Sequence, residues 1–82
     1  MEITLDKLKV NQEAVVKKVI TLGAIRRRFY DMGITPGVKI LFKKVAPLGD
    51  PIQIKLRGYD LSLTKKEAKE IIVEVAEWLS LR

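Results

Sequence analysis

The residue types that ordinarily carry chemistry are scarce in this chain. There is no His and no Cys, so the usual ligands of a zinc site and the usual imidazole base or thiolate nucleophile are missing. Ser62 and Ser80 supply the serine hydroxyls, and neither has a base beside it in sequence. Asp31, Asp50 and Asp60 could gather around a hard cation such as Mg²⁺, but each stands near Gly or Pro or at a predicted helix end, where Asp serves turns and caps. Neither glycine-rich phosphate loop, of the P-loop or the dinucleotide type, is present. The expectation is a protein that is not an enzyme and holds no metal or cofactor.

Basic chemistry is better represented. The 82 residues carry 16 Lys and Arg against 10 Asp and Glu, a net charge of +6, which suits an acidic protein, a nucleic acid or an anionic membrane surface without choosing among them. Acidic residues crowd the C-terminal segment (Glu67, Glu70, Glu74, Glu77), so the basic character belongs mainly to residues 7–66. Arg26, Arg27 and Arg28 are consecutive; at about 100° per residue they fan around a helix. Arg26 and Arg28 then flank the apolar stripe and Arg27 points away from it. Arg27 and Asp31 are an i, i+4 pair in the weaker orientation.

A different feature lies at Ala46-Pro47-Leu48-Gly49-Asp50-Pro51-Ile52. The two prolines stiffen a loop that a plain hairpin would not require, and Leu48 belongs to neither flanking alternation. Leu48 either caps the end of the core or is presented on a stiff tip to a partner, an arrangement that lowers the ordering cost of binding. Tyr30 and Tyr59 divide in the same way between core edge and contact surface.

The elements that position these residues follow from periodicity. Residues 13–20 carry Val15, Val16, Val19 and Ile20 around Lys17 and Lys18, and this β-branched content favours a strand, started by a turn at Asn11-Gln12. Over 22–32 the apolar period becomes three and four, with Leu22, Ile25, Phe29 and Met32 forming one stripe of a helix that packs on the strands. Gly33 is placed to end that helix in a left-handed cap, after which Ile34 folds back on Phe29. Thr35-Pro36-Gly37 has the chemistry of a type II turn. Val38, Ile40 and Phe42 alternate with Lys39, Leu41 and Lys43, then Ile52, Ile54 and Leu56 with Gln53, Lys55 and Arg57. Gly58-Tyr59 turns tightly into Leu61 and Leu63, completing a meander of three strands. Thr64 with Glu67 is a capping box. Beyond it Ala68, Ile71, Ile72, Val75 and Leu79 fit a long helix while Ile71, Val73 and Val75 alternate as a strand; the β-branched run at 71–73 favours one helical turn followed by a strand. The sum is a mainly β chain of five short strands around one small core, with a helix after the first strand and a short helix before the last. A chain this short buries only about 60 to 65% of its unfolded surface, so one domain over 1–82 is expected, with 76–82 a tail of separate character. No apolar run reaches the roughly 18 residues of a membrane span, and Met1-Glu2-Ile3-Thr4 does not open a signal peptide. A cytoplasmic protein that is not membrane-inserted is expected.

Three patches, in order and spacing, resemble the ferrous iron transport protein A (FeoA) family. They are Arg28-Phe29-Tyr30-Asp31-Met32-Gly33-Ile34-Thr35-Pro36-Gly37, the loop from Ala46 to Pro51 with Ile52 behind it, and Arg57-Gly58-Tyr59-Asp60-Leu61-Ser62-Leu63. The resemblance implies a small SH3-like five-stranded barrel and a cytosolic adaptor or regulator of Fe²⁺ uptake, at the inner face of the cell membrane, whose partner is the cytosolic part of a FeoB-type GTPase permease. Arg28, Met32, Gly33, Ile34, Pro36, Gly37, Pro47, Gly49, Pro51 and Gly58 then belong to the structural motif. Leu48, Asp50, Arg26, Arg27 and Tyr30 are the candidates for partner contact, with Arg28 expected to pair a loop carboxylate such as Asp50. A GTPase partner also invites an arginine finger from 26–28, against the plainer reading of a solvated helix face. Phe29 stands where the family usually has Leu, and 76–82, with Trp78, Leu79 and Leu81, has no counterpart in the motif; that tail is a candidate for self-association. The rival function is a nucleic-acid-binding small barrel using Lys39, Lys43, Lys55 and Arg57, although aromatics for base stacking are few.

Overall fold

The computed structural model describes residues 1–75. Its elements run β1 (Glu2–Thr4), a 3-10 turn (Leu5–Lys7), β2 (Glu13–Val19), α1 (Ala24–Asp31), β3 (Lys39–Val45), β4 (Ile52–Leu56), β5 (Tyr59–Leu63), α2 (Lys65–Ala68) and β6 (Ile71–Glu74). The tail at 76–82, including the self-association expected there, lies outside the described residues.

The described residues are mainly β, but they form six antiparallel strands where five were expected, in the order β1-β6-β2-β3-β4-β5. The additional strand is β1, which pairs with β6 at Glu2↔Glu74, Ile3↔Val73 and Thr4↔Ile72. Three residues are too few for a period of two to show, so long-range pairing creates this strand. β1 and β5 end the hydrogen-bonded order and do not pair with each other; the ladder is open there, contrary to a barrel closed strand to strand. The Met1 ammonium sits on Glu74 and holds its carboxyl below the usual carboxylate range.

Inward alternation builds the core. Ile40 and Phe42 of β3, Ile52, Ile54 and Leu56 of β4, Leu63 of β5 and Ile71 and Val73 of β6 are all buried, together with Leu5, Leu8, Phe29, Ile34 and Ala68. β2 breaks strict alternation, since Val16 and Val19 are both inside; a register shift between Val16 and Lys18 against β6 accounts for it. Such a bulge inserts one residue and turns both valines to the same face. The ambiguity after Thr64 resolves as one helical turn, then a strand.

The apolar stripe over 22–32 does not survive intact. α1 starts at Ala24, so Leu22 precedes it, and Leu22 and Ile25 are 71% and 53% exposed. Only Phe29 is fully buried and Met32 is half-buried. An eight-residue helix reaches the core through its C-terminal half alone. That half ends as predicted: Ile34 N–H donates to Phe29 O at 3.0 Å and Gly33 N–H to Tyr30 O at 2.9 Å, with Gly33 at φ +95°. This is the 6→1, 5→2 pair of a Schellman cap. Val38 N–H to Thr35 O at 3.1 Å then closes the Thr35-Pro36-Gly37 turn.

Candidate functional site

The first turn of α2 ties the candidate residues together. Thr64 Oγ1 accepts from Glu67 N–H at 3.0 Å, and Thr64 N–H donates to Glu67 Oε1 at 2.8 Å, so the capping box predicted from the sequence is formed. Glu67 uses its second oxygen on α1, where Oε2 accepts from Arg28 Nη2 at 2.7 Å. Asp50 Oδ1 accepts from Lys65 N–H at 2.8 Å. Three of these four contacts satisfy backbone donors, the N–H groups of Thr64, Lys65 and Glu67, that a helix start leaves without intrahelical partners. The Asp50 and Arg28 contacts also pin the 46–51 loop and α1 to one short helix.

The pairing expected for Arg28 is therefore corrected: its partner is Glu67, and Asp50 is occupied by the α2 backbone. The capping geometry explains the exchange, since a glutamate three residues into a helix spends one oxygen on the cap and keeps the other free to face α1.

Between β3 and β4 the loop is held at its base and bare at its tip. Ala46 N–H donates to Pro51 O at 2.9 Å and Gly49 N–H to Ala46 O at 2.7 Å. Leu48 is 96% exposed, which decides against a cap on the core. Pro47 and Pro51 are exposed on either side, and an open depression bordered by Lys44, Val45, Ala46, Pro47, Pro51 and Ser62 lies behind them.

On α1, Arg26 lies with its guanidinium carbon 5.5 Å from the Tyr30 ring centroid, a cation–π distance, and its Nε is sheltered without a hydrogen-bond partner. Arg27 is exposed, and among the described residues no ion pair joins it to Asp31. Gly23, Ala24, Arg26, Arg27 and Tyr30 border a shallow depression. Arg26, Arg27 and Tyr30 are thus neighbours, and the loop bearing Leu48 and Asp50 is linked to their helix through α2, by Asp50 on Lys65 N–H and Arg28 on Glu67.

The motif residues from Arg57 onward turn out to hold the α1 cap. The Tyr59 hydroxyl donates to Met32 O, Arg57 Nη2 to Thr35 Oγ1 at 3.2 Å, and Arg57 Nε to Gly33 O at 3.4 Å. Sequence reasoning set Arg57 on an outward face and left Tyr59 undecided, because nothing local signals a reach of 22 to 27 residues. The outward lysines are partly matched: Lys39 pairs with Glu13 at 3.3 Å and Lys43 with Asp60 at 3.4 Å. Asp31, Asp50 and Asp60 are not brought together, and no group of three or more metal-ligating side chains occurs among the described residues. Nor is any described helix long and apolar enough to cross a membrane.

Residues 3–75 match the FeoA domain model. The chain belongs to the FeoA family. It is 34% identical over 71 residues to an Fe(2+) transport protein A/Fe(2+) transporter FeoB fusion protein of Porphyromonas gingivalis. That match takes in 87% of this chain and only 8% of the fusion protein. A FeoA-like protein from Clostridium acetobutylicum has the same fold, with TM-score 0.83 and 43% identity over 90% of this chain and 86% of the other. The FeoA of Stenotrophomonas maltophilia, solved with zinc, superposes with TM-score 0.77 at 29% identity, over 88% of this chain and 89% of that one. It is described as a prokaryotic SH3 domain protein and proposed to be a bacterial ferrous iron transport activating factor. FeoA membership thus links this chain to ferrous iron transport.

Proposed function

We propose that this FeoA domain is a non-enzymatic cytosolic adaptor that binds the cytosolic part of a FeoB-type Fe²⁺ permease and regulates it by contact. The observation that carries the reading is the P. gingivalis relative, in which the matching domain is fused to FeoB in one polypeptide; fusion holds two modules at high effective concentration and is favoured where they work together. Residues 1–82 act as one domain, and the six-stranded sheet wrapped on one core is read as an SH3-like barrel left open between β1 and β5. Leu48 is the anchor, a bare aliphatic on a loop fixed at its base. Asp50 keeps that loop on α2. Arg26, Arg27 and Tyr30 form a second contact on α1, and the pairing of Arg28 with Glu67 favours the helix-face reading of 26–28 over a finger toward a nucleotide. The nucleic-acid alternative loses support from the pairing of Lys39 and Lys43 with carboxylates.

The test is retention of the permease, solubilised from its own membranes, on immobilised wild-type protein. Recovery of that GTPase permease supports the reading. Failure to retain it, with salt-sensitive binding to single-stranded polynucleotides in its place, would hand the function to the nucleic-acid reading.

A further inference from the structure

Among the described residues, three exposed large aliphatics fall within six positions on the approach to α1. Ile20 is 48%, Leu22 71% and Ile25 53% exposed. Lys17 and Lys18 precede them, Arg26, Arg27 and Arg28 follow, and no acidic residue occurs between Glu13 and Asp31. Lys17 and Lys18 are exposed, and among the described residues neither forms an ion pair, although Lys17 is near enough to Glu74 to help hold its carboxyl down. The backbone is fixed at this place, with Ile20 N–H on Glu70 O at 2.7 Å and Arg27 N–H on Gly23 O at 3.1 Å. The side chains are therefore presented on a settled surface.

Charge and apolarity together narrow what can cover this patch. A second copy would bring the same lysines against it, and like charges oppose association. A nucleic acid would match the cations but would leave Ile20, Leu22 and Ile25 without the stacking partners that bases use. An anionic bilayer answers both, since phosphates meet Lys and Arg while the acyl boundary receives the aliphatics. We propose that residues 17–25 form an interfacial membrane contact. Ile20, Leu22 and Ile25 seat at the headgroup boundary of an anionic bilayer, and Lys17 and Lys18 lie against lipid phosphates. The contact needs no transporter. Beside one, it would add a second point of attachment and raise the effective concentration of the domain at its partner.

Vesicles of phosphatidylcholine, alone or with about one third phosphatidylglycerol, test this on the full chain by co-sedimentation. Binding is expected only to the anionic vesicles, weakening as salt rises. The double variant Leu22→Ser, Ile25→Ser should keep the wild-type melting curve and partition at least about tenfold more weakly. Because the chain has no Cys, Leu22→Cys accepts a single polarity-sensitive dye. Its emission should shift to the blue on anionic vesicles, and the same dye on Leu48→Cys should not. Absence of vesicle binding overturns the proposal while leaving the transporter reading untouched. Salt-sensitive binding indifferent to the double variant overturns it as adsorption by net charge alone. A blue shift at position 48 in place of 22 moves the contact to the loop, and self-association abolished by the double variant gives the patch to a second copy; either result is equally fatal.

Discussion

The two ends of α1 carry the same kind of side chain and meet opposite fates. At the C-terminal end Phe29 is 1% exposed and Ile34 is fully buried. The Schellman cap is clasped there by Tyr59 and Arg57, and Arg28 reaches Glu67. At the N-terminal end Leu22 and Ile25 follow the same spacing of three and four, yet stand in solvent. Periodicity specifies that a face is apolar; whether that face is buried depends on how far the core extends beneath it. Here the core ends under the middle of an eight-residue helix, and the apolar residues beyond it become available for a partner.

Substitutions that probe the difference fall in a clear order. Phe29→Ala empties a fully buried aromatic site and should cost about 3 to 5 kcal/mol by denaturant titration. Gly33→Val should cost about 1 to 3 kcal/mol, because a β-carbon must adopt positive φ and would lie 2.8 Å from the Tyr59 hydroxyl; an unchanged midpoint would mean the cap is not held as described. Thr64→Ala removes one half of the α2 capping box and should cost about 1 kcal/mol. At the other end, Leu22→Ser should stay within about 0.5 kcal/mol of wild type. A loss at Leu22 approaching that at Phe29 would erase the contrast between the two ends.

Local chemistry was well legible in the sequence and long-range reach was not. The Gly33 cap, the type II turn at Thr35-Pro36-Gly37, the Thr64 capping box and the inward sets of β3 and β4 depend on residues within one or two turns of each other, and each formed. β1 was missed because it exists through pairing with β6 some 70 residues away, Glu2 against Glu74. The bulge in β2 was hidden because Val15, Val16, Val19 and Ile20 fit no single alternation. In the candidate site, the proline loop and the exposure of Leu48 were half visible, as an apolar residue outside every pattern. The role of Glu67 was not visible, since a capping glutamate gives no sign of where its second oxygen goes.

The loop and the α1 face are separate surfaces joined by α2, so one titration decides how much of the account stands. Calorimetry of the wild-type protein and of Leu48→Asp against the cytosolic domain of a FeoB-type permease, with melting curves for both, is the most direct test. Saturable binding by the wild type is expected, and Leu48→Asp should melt like wild type while weakening that binding by ~2 kcal/mol or more, the scale of a desolvated apolar anchor. The paired control, Lys43→Glu with Lys55→Glu, should weaken it only modestly and mainly at low salt. Absence of wild-type binding to that domain, or full binding by a folded Leu48→Asp protein, would contradict the account.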